Sequence, residues 1–164
     1  MASRRKGRIL AFQALYSWDA LYSQSGDISI PEDLLNFSWT RQSDDAPALL
    51  DEEMMAFSRL LVTGTIENIA AVDNMIRKHL VNWELKRLNK VDLAVLRMSA
   101  YTLMFQTDMP PSIVIDEAIG ISREFGTDDS YRFINGVLDS IRKTLNSPKI
   151  LNTGQHPAGD NEIR

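Results

Sequence analysis

Four cations crowd the start of this chain: Arg4, Arg5, Lys6 and Arg8. Arg4 and Arg8 stand one helical turn apart, so a helix here would present guanidinium forks to a run of backbone phosphate, with Arg5 and Lys6 widening the patch. Rings beside such cations would stack the bases of a single RNA strand. Phe125, next to Gly126, and the pair Tyr131 and Phe133 are the candidates, with core packing as the competing reading for each. Catalytic groupings are scarce. The sequence holds no glycine-rich phosphate loop, no Gly-x-Ser-x-Gly and no His-Glu-x-x-His. Asp116 with Glu117, and Asp128 with Asp129, are adjacent acids; these point about 100° apart on a helix and suit the positive end of its dipole better than paired acid–base work. His79 has no Asp, Glu or His at ligand spacing in its helix beyond Asp73, and His156 falls in a polar stretch near the end. With no cysteine, thiolate zinc sites, iron–sulfur clusters and thiol catalysis are excluded. The residues call for no metal, no cofactor and no catalytic site.

The elements that must position these groups read as helices throughout. From Ile9 to Tyr22, Ala11, Leu15, Trp18 and Tyr22 keep the spacing of an amphipathic helix that Gly26 stops. Pro31, Glu32 and Asp33 open a short helix through Phe37, and Arg41 to Leu49 is a polar loop. Asp51, Glu52 and Glu53 begin one long helix with the stripe Val62, Ile66, Ile69, Val72 and Ile76; Gly64 inside it costs about 1 kcal/mol relative to alanine, so packing must hold it. After a break from Asn82 to Asn89, Val91, Val95, Met98, Thr102 and Phe105 mark a helix that Pro110 and Pro111 end. Another runs from Ser112 to Phe125, with Gly126 expected as its left-handed exit. Thr127 or Asp128 then caps a last helix with the stripe Ile134, Val137, Leu138, Ile141 and Leu145. No strand-like alternation and no internal repeat occurs. The expected fold class is all-α, a compact bundle over residues 1–145, followed by a disordered tail over 146–164 rich in Pro, Gly and Asn.

A chain of 164 residues with 44% hydrophobic content can bury a core without disulfides or metals. No apolar run approaches the roughly 18–20 residues of a membrane span, and the charged start leads into an amphipathic segment, so a cytoplasmic protein is expected. The net charge of −4 argues against non-specific coating of nucleic acid, but it hides an asymmetry. Between Asp27 and Glu53, eight acids face the lone cation Arg41. One end of the molecule is therefore suited to phosphate while the rest repels it.

Taken together, several short blocks carry a resemblance. Arg4-Arg5-Lys6-Gly7-Arg8 is followed by Ala14-Leu15-Tyr16-Ser17-Trp18, by Val91-Asp92 with Ala94-Val95-Leu96-Arg97, by Ile115-Asp116-Glu117-Ala118, by Phe125-Gly126, and by Phe133 through Asp139. In order and spacing, from Arg4 to about Leu145, the chain resembles the NusB family of bacterial transcription antitermination factors. The resemblance implies a compact two-subdomain helical bundle of about seven helices and no catalysis. It further implies pairing with NusE, a small-subunit ribosomal protein, and binding of the pair to the boxA element of nascent RNA within the RNA polymerase antitermination complex, supporting ribosomal RNA transcription.

By that similarity Arg4, Arg5, Lys6 and Arg8 are RNA contacts, with Gln13, Phe125, Asp129 and Phe133 along the RNA path. Tyr16, His79, Asp92 and Arg97 match positions at the NusE face. Asp129 cannot contact phosphate favourably; it would accept hydrogen bonds from bases or ribose, or orient Arg132, unless it is simply an acid at a helix start. Asp92 and Arg97 are five residues apart, so they would reach separate partner groups. Asp116, Gly120 and Gly7 depart from the family pattern, and Gly7 in the basic run points to an arm that orders only on RNA. Four neutralised phosphates would give a salt slope near −3. The alternatives are a protein-only scaffold, in its simplest form a homodimer, and a detached targeting module of the kind attached to ribosomal RNA cytosine methyltransferases, whose α/β cofactor domain has no counterpart here.

Overall fold

A computed structural model describes residues 2–42 and 52–147. Seven α-helices and no strand occur among the described residues: α1 (Ala2–Ser25), α2 (Glu32–Asn36), α3 (Glu52–Glu67), α4 (Ile69–Lys78), α5 (Lys90–Phe105), α6 (Pro111–Phe125) and α7 (Ser130–Asn146). Short 3-10 turns cover Ser38–Gln42 and Leu85–Arg87. The polar loop expected over 41–49 and the tail expected over 146–164 fall mostly outside the described residues.

Helix α5 organises the molecule. Its residues from Asp92 to Leu103 are all buried, so it is enclosed around its whole circumference and mostly apolar, with Asp92 and Arg97 as buried charges. Helices α1 and α3 pack on one side of it and α6 and α7 on the other, with α4 reaching both α5 and α7. These are the two small bundles, and they share α5 and one continuous core that includes Trp18, Phe37, Leu61, Leu96, Ile121 and Leu138.

Several local expectations are corrected by packing. The long helix breaks at Asn68 into α3 and α4; the Asn68 side chain donates to the Gly64 carbonyl at 2.8 Å, which competes with the helical backbone. Helix α1 begins at Ala2, so the basic run belongs to a helix rather than to a disordered arm. The reason lies at Gly7. A Cβ there would stand 2.7 Å from Phe57 Cδ1, and the Ser58 hydroxyl donates to the Gly7 carbonyl at 2.9 Å, so glycine lets α1 lie directly on α3. Gly126 has an extended φ of −92° and not a left-handed one; what it needs is room, since a Cβ would meet Ser130 Oγ at 2.6 Å. Neither Thr127 nor Asp128 caps α7: Asp129 precedes the helix, and the Ser130 hydroxyl accepts from the Thr127 N–H at 2.9 Å. Gly26 does take a left-handed φ, +68°, at the end of α1.

Candidate nucleic-acid and partner interface

The first turns of α1 lie against the end of α6. Arg5 reaches Glu124 at 3.7 Å, its guanidinium passes Gly120, and Phe12 packs on Phe125 with ring centroids 5.1 Å apart. Arg4, Arg5 and Lys6 are exposed, and Phe125 is half-buried. The exposed cations and the Phe125 ring thus share one edge of the molecule. Gly120 is part of that closeness, because a Cβ would sit 3.1 Å from the Arg5 guanidinium.

Arg8 does not join the exposed cations. It is 7% exposed, stacks over Phe57 at 5.4 Å and faces Glu117 at 3.9 Å, so where a phosphate contact is expected the structure shows an internal tie between α1, α3 and α6. Burial lowers the pKa of its guanidinium, with Glu117 opposing that shift. Arg4 shares the ring from outside, 5.2 Å over Phe57.

Asp129 is exposed, Gln13 and Phe133 are half-buried. Asp129 and Phe133 line a cavity of about 420 Å³ together with Asp92, Trp83 and Ser130. Asp92 is itself buried there, its Oδ1 without a hydrogen-bond partner, and burial raises its carboxyl pKa against the opposing pull of a bond from Ser130. The structure therefore brings Asp92, expected at the partner face, and Phe133, expected on the RNA path, to one hollow.

Arg97 is 4% exposed and fully engaged inside the molecule. Its Nε and Nη2 donate to the two oxygens of Asp73 at 2.9 and 3.0 Å, and its Nη1 to Asp19 at 2.6 Å, while Lys90 reaches Asp19 from the rim at 3.1 Å. Above it Trp18 and Tyr22 stack with centroids 4.5 Å apart. Although burial pushes the Asp19 carboxyl up, the bonds from Arg97 and Lys90 outweigh it and hold it below the ordinary carboxylate range. Arg97 thus forms a buried clamp joining α1, α4 and α5. It floors a second hollow, of about 560 Å³, with Tyr22, Arg77 and Lys90 at its walls. Tyr16 is 47% exposed on α1. His79 ends α4 with its Nδ1 2.7 Å from the Ser140 hydroxyl of α7, and burial lowers its pKa.

Sequence reading missed Asp19, Asp73, Phe57 and Trp83. A signal existed for the acids: Asp19 follows Leu15 by four residues and Asp73 follows Ile69 by four, which puts charges on buried stripes, where each needs a partner. Trp83 carried no such periodic signal, since it lies between helices, 59% exposed and lining both hollows.

The fold and this edge define a helical binding protein whose working surface is assembled from helix ends on a rigid central helix. The chain belongs to the NusB family: the family's model matches residues 5–143. A transcription antitermination protein NusB from Treponema denticola is 52% identical over 139 residues, 85% of this chain and 95% of that one. Among solved structures, T. maritima NusB superposes with a TM-score of 0.68 at 33% identity, covering 85% of this chain and 90% of that one. A structure of antitermination factors NusB and NusE in complex with double-stranded RNA shares the fold, with a TM-score of 0.71 at 24% identity over 88% of this chain and 98% of that one. Family members are transcription antitermination factors, not enzymes. No helix among the described residues is long and apolar enough to cross a membrane.

Proposed function

We propose that this chain is a cytoplasmic antitermination factor that binds boxA-type RNA together with NusE and supports transcription of ribosomal RNA by polymerase. Family membership sets the class. The observation that carries the RNA assignment is the shared edge, where the Arg5–Glu124 contact and the packing of buried Phe12 on Phe125 bring the cationic turns of α1 beside the half-buried Phe125 ring. A single strand crossing that edge meets Arg4, Arg5 and Lys6 at its phosphates and Phe125 and Phe133 at its bases, with Gln13 and Asp129 offering hydrogen bonds. NusE docks at the face of Tyr16 and the neighbouring hollows, with Asp92 and His79 at or beneath that surface and Arg97 shaping it from inside. Residues 1–145 are the binding unit, with 146–164 as a tail outside it.

Fluorescence anisotropy with a boxA RNA across a salt series, with and without NusE, tests this reading. With Arg8 internal, the three exposed cations of α1 account for a slope of about −2 at roughly 0.7 per phosphate. NusE should tighten binding. A response indifferent to salt, together with no gain from NusE, would overturn the assignment.

A further inference from the structure

The end of α6 and the start of α7 carry a second cationic group. Arg123 lies 4.6 Å over the Tyr131 ring and Arg132 5.5 Å from the same ring centroid, with Arg132 Nε donating to the Tyr131 hydroxyl at 2.9 Å. Two like charges gathered on one ring repel each other unless an anion joins them. No carboxylate lies within 4.0 Å of either guanidinium among the described residues. Of the acids nearby, Glu124 faces Arg5, Asp128 is exposed in the turn, and Asp129, lining the Phe133 hollow, acts on Arg132 only through space, without a contact within 4.0 Å. Stacking uses the face of a guanidinium and leaves its in-plane N–H donors free; Arg132 gives up one of its five to the phenol.

We propose that Arg123 and Arg132, held in place by Tyr131, form a phosphate clamp that extends the RNA track beyond the cations of α1. Arg123 and Glu124, the partner of Arg5, both stand in the last turn of α6, so the clamp lies at the same helix end as the cations of α1. Paired forks suit the two non-bridging oxygens of a backbone phosphate, so the ligand is the RNA backbone, without regard to base sequence. Tyr131 acts as a positioning residue: its hydroxyl fixes Arg132, and its ring seats both cations.

This inference rests on the RNA reading above, and the two can fail separately. The probe is a single-stranded boxA RNA titrated at several salt concentrations against the full chain, wild type and Arg123→Gln/Arg132→Gln. The double variant should lower the magnitude of the salt slope by about 1.4, two contacts at roughly 0.7 each, and weaken binding of a scrambled RNA of equal length in proportion. Tyr131→Phe should leave the slope unchanged while weakening affinity, because the cations remain but one is less well held. A double variant that binds with the wild-type slope overturns the clamp and leaves the RNA reading standing. A wild type with no salt-dependent RNA binding overturns both. Both substitutions are at exposed side chains, so unchanged thermal unfolding is expected and checks that lost binding is not lost folding.

Discussion

Arg97 shows how much of the helix arrangement is decided by one buried side chain. Its guanidinium answers two buried carboxylates on separate helices, and removing it would leave Asp73 an uncompensated buried charge and Asp19 with Lys90 alone. Arg97→Ala should therefore cost about 3–5 kcal/mol in denaturant unfolding. Arg97→Lys would keep the charge but lose the fork that spans both acids, so most of that loss should persist. Asp92 is the opposite case. Its carboxyl pKa is raised in the folded state, so folding favours the protonated form: that contribution is fully present below the unfolded pKa near 3.8 and is lost as pH rises through the folded value. At neutral pH Asp92→Asn should raise the thermal midpoint, and the gain should vanish on acidification below about pH 4. A variant less stable than wild type at neutral pH would show that the carboxylate is already satisfied. For Asp19 the sign reverses: its depressed pKa gives stability at neutral pH that is lost as pH falls through the folded value.

At the scale of elements, glycines set how closely helices approach. Gly7 presses α1 onto Phe57 of α3, and Gly64 of α3 lies so near α5 that any side chain would overlap the Tyr101 hydroxyl. Gly7→Ala should destabilise by about 1–3 kcal/mol, and combining it with Phe57→Leu should recover part of the loss, a non-additivity that a double-mutant cycle would read out. Simple addition of the two effects would mean that the α1–α3 contact relaxes freely. Because Gly7 seats the turn that carries Arg4 to Arg8, the same variant should weaken RNA binding while partner binding at Tyr16 is maintained. The helical stripes made α1, α5, α6 and α7 readable from apolar spacing alone. The Asn68 break and the start of α1 at Ala2 were not readable, since one follows from a side chain competing for Gly64 and the other from a surface on α3 that is remote in sequence.

At the scale of the whole molecule, α5 belongs to both bundles, and this couples them. Neither half can expose its core without uncovering α5, so thermal unfolding should be one cooperative transition, with tryptophan fluorescence and far-ultraviolet circular dichroism giving the same midpoint. Separate midpoints would mean that the two bundles hold their cores independently. The same coupling places the proposed RNA edge, at the ends of α1 and α6, and the Arg97 clamp, built from α1, α4 and α5, on one frame.

Residue order by itself determined the helical class, the family, the absence of thiol chemistry and the set of cations and rings available to RNA, because periodicity and residue type are local properties that survive without knowledge of contacts. Only the tertiary structure decided which charges remain at the surface. Arg8 and Arg97 turned inward because Glu117, Asp73 and Asp19 from other helices meet them there, while Arg123 and Arg132 converge on one ring at the exposed end of two helices. A charge is buried or free according to what distant segments bring to it, and that is a matter of packing rather than sequence spacing.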